Sequence, residues 1–350
     1  MRFERRFDTP LWCSVLVPIA SLAAALVVSG AFLTALGVSP IDALSEMWLS
    51  AFGDEYGLSE SLTKAIPLMI SAVGLCVCYK MLVWNIGAQG QIMAGALAAV
   101  AAVRYLPLAS SPLQLALMAL AAALAGGLWA SVAGFLRAKW NVNEIISTLM
   151  LNYIAVNLKD FLVYGQWRDP SSLGFPMTPA FPASAQLPLL GFGRAHSGLW
   201  LAVIVALVLW WLLTYSRWGY EIRVIGENPR AARFAGIDDT RMMVRSMFIA
   251  GALCGLAGMV HMAGLAHRLQ GAFSADFGYT AIIVAWLANL NPLAALLVAF
   301  LMGGLLVGGE SMQVTMNLPV AGTQVIQGLI LFFVVAGEFF KNYRLVRFRR

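Results

Sequence analysis

Two polar stretches interrupt an otherwise apolar chain, and both hold side chains able to recognise a solute. The first is Trp84-Asn85-Ile86-Gly87-Ala88-Gln89-Gly90-Gln91. Its three amides, on Asn85, Gln89 and Gln91, each donate and accept hydrogen bonds, whereas a carboxylate only accepts. That chemistry suits a neutral polar solute, and Gly87 leaves the backbone approachable. Such groups are costly among apolar helices unless they are buried in protein or face water. Amides and glycines also serve as helix–helix glue, and that second reading stays open for this stretch. The other interruption is Ser274-Ala275-Asp276-Phe277-Gly278-Tyr279, where Phe277 and Tyr279 add aromatic faces.

A different chemistry is written in Gly226-Glu227-Asn228-Pro229-Arg230-Ala231-Ala232-Arg233-Phe234-Ala235-Gly236-Ile237. Asn228-Pro229 reads as a helix start, with Asn as N-cap and Pro in the first turn. Gly236 reads as its stop. The result is a helix of about two turns with small Ala231, Ala232 and Ala235 beside Arg230 and Arg233. A short basic helix with a small-residue face could sit in a groove on another protein; a solvated loop with one capped turn is the plainer alternative.

Other reactive residues point to no catalysis. Cys13, Cys76, Cys78 and Cys254 lie inside apolar runs without zinc or redox spacing, and read as core residues. His196, His261 and His267 have no metal-ligand spacing. No Gly precedes any Lys, so no phosphate-cradling Walker A loop exists. Lys159-Asp160, Glu310 and Glu338 stand near the ends of apolar runs, where snorkelling toward the interface explains them.

The elements that position these residues follow from composition. Of 350 residues, 60% are apolar and 11% charged, too little polar surface for a water-soluble globule of this size. A bilayer core of about 30 Å needs about 20 apolar residues per helical crossing. Apolar runs predict an all-α integral membrane protein with about ten spans, near 12–37, 65–83, 88–106, 112–136, 145–165, 197–216, 246–266, 277–290, 292–309 and 320–340. The run after the N-terminus is too long for a cleaved signal peptide and reads as a retained helix.

Charge sets the topology. Basic residues gather at Arg2, Arg5 and Arg6, at Lys80, at Arg137 and Lys139, between Arg217 and Arg245, and after Lys341. Ten crossings with the N-terminus inside put all these clusters on the cytoplasmic face. The expected layout is one permease domain over 1–350. It has a cytoplasmic N-terminus at 1–11, extracytoplasmic loops at 38–64 and 166–197, a cytoplasmic loop at 217–245 and a cytoplasmic C-terminus at 341–350. Segment 38–64 is acidic, and 166–197 is rich in Pro, able to cover a pore mouth or meet a soluble partner. Interruptions near 84–91 and 274–279 occupy similar places in two halves of five spans, the pattern of a 5+5 inverted repeat. The net charge of +6 is spread over these loops, so nucleic acid is no partner.

Four stretches together resemble permeases of ABC importers for nucleosides and simple sugars, related to the ribose and branched-chain amino acid permeases. They are Asn85–Gln91, Asn143-Glu144-Ile145-Ile146-Ser147-Thr148-Leu149-Met150-Leu151-Asn152-Tyr153, Gly226–Ile237 and Phe277-Gly278-Tyr279-Thr280-Ala281-Ile282. The resemblance implies a transporter subunit of the bacterial cytoplasmic (inner) membrane that is not itself an enzyme. It carries no cofactor, ATP and Mg being held by a separate ATPase chain. The other implied partners are an extracytoplasmic binding protein and a second, shorter permease, this chain being the longer kind. Asn85, Gly87, Gln89, Gln91, Phe277 and Tyr279 would line or shape the path of a nucleoside, whose base could stack on the rings; a simple sugar is the alternative. Glu227, Asn228, Pro229, Arg230, Ala231, Ala232 and Gly236 would couple to the ATPase. Ala231-Ala232 and Gly236 match the Ala-Ala-x-x-x-Gly core of the "EAA" loop of import permeases, with Arg230 where its Glu would stand. The nucleoside branch usually reads Asn-Ile-Gly-Ala-Glu-Gly-Gln, and Gln89 replaces that Glu. Two rival classes fit less well. An ion-coupled secondary transporter wants ionisable residues in mid-span, and a membrane enzyme wants a carboxylate or metal constellation there.

Overall fold

The computed structural model describes residues 2–5, 11–271, 273 and 276–346, with side chains over 16, 17, 19–271, 273 and 276–337. Arg6, Cys13, Ser274, Ala275, Glu338 and residues 347–350, on which some expectations bear, lie outside that description. In chain order the elements are β1 (Arg2–Arg5), α1 (Leu11–Ala35), α2 (Pro40–Phe52), α3 (Glu55–Lys80), α4 (Ala88–Tyr105) and α5 (Ser111–Trp140). They continue with α6 (Glu144–Tyr164), α7 (Gly198–Tyr215), α8 (Arg217–Glu227), α9 (Pro229–Phe234), α10 (Asp239–His261), α11 (Phe277–Leu287), α12 (Pro292–Thr315), α13 (Val320–Asn342) and β2 (Tyr343–Val346). α10 runs on as a π turn, Met262–Ala266.

Each of the ten expected spans falls on a helix. By length and composition, seven described helices can cross a membrane, or eight if the α1–α2 pair, bent by 117°, counts as one span. α4 and α11 are outside that set for different reasons. The first turn of α4 carries Gln89 and Gln91, and the 11 residues of α11 reach only about 16 Å.

One expectation needs correction. Segment 38–64, read as a loop, is helical: α2 occupies Pro40–Phe52 and α3 already begins at Glu55. Ser39 and Pro40 start α2 as N-cap and first-turn proline, and Asp54 accepts the Gly57 N–H at 2.6 Å where α3 starts. Acidic residues do not exclude helix, because Asp and Glu are welcome at helix N-termini.

The chain forms two compact units, 1–61 with 304–350 and 62–303. In the first, a core of Ala25, Leu33, Ala43, Met312, Leu318, Ile326 and Ile330 joins α1, α2, α12 and α13. Ser311 donates to the Glu46 carboxylate at 2.9 Å there, and β1 pairs antiparallel with β2.

In the second unit α4 is the inner helix, with every residue from Ala88 to Leu97 buried, wrapped by α5, α6, α10 and α11. Where α4, α5 and α10 cross, Gly95, Gly126 and Gly255 meet backbone to backbone: a Cβ on Gly95 would overlap Gly255, and one on Gly126 would overlap Gly251. Membrane helices associate through such small-residue contacts because lipid tails give no hydrophobic drive to pack. The outer faces are the reverse. Leu113, Leu120, Leu124 and Leu128 on α5, and Trp200, Ile204, Leu207 and Trp211 on α7, are exposed. A continuous exposed apolar face belongs against acyl chains.

Gly255→Val should separate α10 from α5 and α4 at a cost of about 1–3 kcal/mol or more, read as a fall in the melting temperature of the detergent-purified protein. Gly328→Ala, where nothing lies within 4 Å of the added carbon, should leave that temperature unchanged or raise it.

Candidate functional site

The chain between α3 and α4 leaves the helical ladder at Met81, and side chains replace the missing backbone bonds. Tyr79 Oη donates to the Asn85 carbonyl at 2.8 Å. The Asn85 and Gln91 amides pair reciprocally: Asn85 Nδ2 donates to Gln91 Oε1 at 3.1 Å and Gln91 Nε2 to Asn85 Oδ1 at 2.8 Å. Asn85 Oδ1 also accepts the Gly87 N–H at 3.0 Å. Both amides are fully buried. They shape the break from inside, as the glue reading describes, and a Cβ on Gly87 would press on Gln91, Thr148 and Asn85.

α6 supplies the next layer. Asn152 Oδ1 accepts the Gly90 N–H at 2.8 Å, and its Nδ2 donates to the Ile86 carbonyl at 2.9 Å and to Tyr279 Oη at 3.3 Å. Thr148 Oγ1 accepts the Ile86 N–H at 3.3 Å. Asn152 and Thr148 were not singled out from sequence. Their signal was present, two polar residues four apart on a mostly apolar helix, which share a face.

The two interruptions meet through Gln89. Its Oε1 accepts the Gly278 N–H at 2.9 Å, and a Cβ on Gly278 would overlap the Gln89 backbone. Ala88 and Phe277 are the first residues of α4 and α11, so this bond joins the first turns of two helices, whose N-termini carry partial positive charge. Phe277 is buried against His261 at 5.1 Å between ring centroids, and His261 packs on Phe273 at 5.2 Å. Tyr279 is more exposed, at 39%. The structure thus gathers Asn85, Gly87, Gln89, Gln91, Phe277 and Tyr279 into one polar and aromatic cluster. Below it Trp84 stacks on Trp286 at 5.3 Å, and Tyr79 on Trp286 at 5.6 Å.

The Pro-rich stretch 166–197 is hydrogen-bonded along residues 263–271. Thr178 N donates to the Leu269 carbonyl at 2.9 Å, Phe181 N to His267 at 2.8 Å, Leu187 N to Ala263 at 2.9 Å and Gly271 N to Pro176 at 2.8 Å. His196 Nδ1 accepts the Gly198 N–H at the head of α7, 3.2 Å away. Burial, with a smaller effect from His267, lowers its pKa to about 4, so it stays neutral and able to accept. No group of three or more metal-ligating side chains exists among the described residues.

The Gly226–Ile237 stretch folds as its caps direct. Asn228 Oδ1 accepts from Arg230 N at 3.0 Å and Ala231 N at 3.1 Å, and Gly236 ends α9 with φ +78°. Arg233 is tied to Asp239 by its Nε at 2.9 Å and Nη2 at 2.6 Å. Glu227, Asn228, Pro229, Arg230, Ala231 and Gly236 are exposed, but Ala232 is buried. The small-residue face expected to point outward therefore loses Ala232, which is fully buried. Phe234, passed over in the sequence, is 95% exposed on the same short helix. At the near end of α8, a Cβ on Gly226 would overlap the Lys80 carbonyl, so this segment abuts the helix that ends in the 81–87 break.

Gln89→Glu should keep the fold, since a carboxylate also accepts from Gly278 and suits two helix N-termini. Gln89→Leu should strand that buried N–H and cost about 1–3 kcal/mol. Melting temperatures of the two purified variants give the check, and equal values would contradict this assignment.

The chain is 34% identical to a glucose ABC transporter permease of Haloferax volcanii, over 99% of this chain and 93% of that one. It is 29% identical to a guanosine ABC transporter permease of Bacillus subtilis, over 92% and 93%, and 28% identical to a nucleoside ABC transporter permease of Lactococcus lactis, over 91% and 90%. Residues 57–335, which hold every polar contact of the α4–α11 cluster and the whole of α8 and α9, match one family model. The chain belongs to the family of branched-chain amino acid transport system permease components, and is a multi-pass membrane permease.

Proposed function

We propose that this chain is one permease of an ATP-driven importer of nucleosides, with Asn85, Gly87, Gln89, Gln91, Phe277 and Tyr279 shaping the solute path. The observation that carries this reading is the meeting of two broken helices, α4 and α11, at Gln89 and Gly278. Irregular backbone inside a membrane protein is tolerated where it is enclosed by protein or lines a cavity, and transport sites recur at such breaks. A simple sugar is the second reading, favoured by the similarity to the glucose permease. Both solutes present hydroxyls to amide and phenol groups; only the nucleoside adds a planar base for Phe277 and Tyr279.

ATP and Mg are held by a separate ATPase that docks on α9, while an extracytoplasmic binding protein delivers solute over the 166–197 face. A second, shorter permease completes the membrane portion. The exposed Phe234 supports the docking site, since a large apolar side chain in water at the tip of a short helix fits a pocket on a partner. The β1–β2 pairing and the basic residues around both termini support a cytoplasmic location for the two ends, in the inner membrane.

In proteoliposomes with its partner subunits, the chain should accumulate radiolabelled guanosine only with ATP inside and binding protein outside. Accumulation driven by a proton or sodium gradient from this chain alone would reject the importer reading, and glucose uptake in place of guanosine would select the sugar. Phe234→Asp should cost about 2 kcal/mol of docking energy and reduce ATPase co-purification, leaving the amount of permease in the membrane unchanged.

A further inference from the structure

Lys159 was expected to snorkel to the membrane interface from the end of α6, and it does the opposite. The residue is 2% exposed. Its ammonium contacts the Gly271 carbonyl, the Phe273 carbonyl at 3.5 Å and the Asp160 carboxylate at 2.9 Å. An ammonium has three donors and no acceptor, so these three oxygens exhaust it. Two of them belong to the irregular chain between α10 and α11. Taking a cation out of water costs several kcal/mol unless its partners are well placed. A buried lysine spent on two main-chain carbonyls thus marks a position where the backbone must be held.

The held backbone leads to the aromatic cluster. Phe273 packs on His261, and His261 on Phe277 at the head of α11, whose second residue is clamped to Gln89. The other side of the same chain is pinned by the 166–197 stretch, through Gly271 N to Pro176 and Leu269 to Thr178. Lys159 thus ties α6 to the backbone at Gly271 and Phe273, between the 166–197 stretch and the head of α11.

We propose that Lys159 is a positioning residue for transport: through the Gly271 and Phe273 carbonyls it fixes the Phe273–His261–Phe277 ring stack, and so the place of Phe277 in the solute path. The proposal rests on the assignment of Phe277 to that path. Lys159 itself need not touch solute.

The test uses the complete transporter, with Lys159→Met and Lys159→Arg, each also combined with Phe273→Cys. Reaction of that cysteine with a membrane-impermeant maleimide in intact cells reports the position of the chain and depends on neither ATP nor the solute. Lys159→Met, which keeps length and removes the donors, should raise its labelling rate on the order of tenfold, the effect of losing one charge-assisted hydrogen bond. It should also raise ATP hydrolysis without solute and lower the maximal uptake rate, at unchanged permease level and with less change in apparent KM. Lys159→Arg, which keeps charge and donors, should restore all three. Unchanged labelling in Lys159→Met would overturn the proposal. So would Lys159→Met permease that fails to reach the membrane while Lys159→Arg behaves normally, since that assigns the lysine to folding alone. Altered labelling with no ATP-dependent uptake in the unmodified protein would instead keep the positioning role and sink the importer reading.

Discussion

One constraint governs the centre of this molecule: a backbone polar group away from water needs a partner within the protein. Continuous helices meet it automatically, and broken ones do not. Before α4 and before α11 the described chain is irregular, and side chains supply partners for backbone groups there. Asn85 and Gln91 pair across the first, Asn152 takes Gly90 and Ile86, and Gln89 takes the Gly278 N–H of α11. Single hydrogen bonds contribute about 1 kcal/mol net, but leaving a buried group unpaired costs about 1–3 kcal/mol. The network therefore acts less as added stability than as a restriction, because each amide is correct for one register of one break.

The packing around the breaks follows from the same solvent. Since lipid gives helices no reason to hide apolar surface from it, α4 is held by close backbone approach at Gly95, Gly126 and Gly255. The bulky Leu and Trp side chains face outward, inverting the arrangement of a water-soluble bundle. A buried α4 with polar residues at its first turn is thus possible only because α5, α6, α10 and α11 surround it. Its own composition is too polar to face lipid alone.

A chain of contacts links the elements around the breaks. The end of α8 abuts the end of α3 at Lys80, the residues beyond Lys80 form the first break, and Gln89 at its far side holds Gly278 at the head of α11. The stretch 166–197 is hydrogen-bonded to residues 263–271, which lead toward α11.

Several features were legible in the residues alone. Membrane class, the helix for each apolar run, the Asn228-Pro229 helix start and the two interruptions follow from local composition, capping chemistry and the 20-residue length of a crossing, which are properties of neighbouring residues. Acidity marked 38–64 as a loop but was silent on α2, because one short charged sequence satisfies helix and loop alike. Tertiary structure alone decided the partners. Whether Lys159 reached for the interface or for Gly271 and Phe273, and whether Gln89 met Gly278, depended on groups 112 to 189 residues away. A polar side chain in an apolar run announces that it must be satisfied; which distant carbonyl or amide satisfies it is settled only when the helices pack.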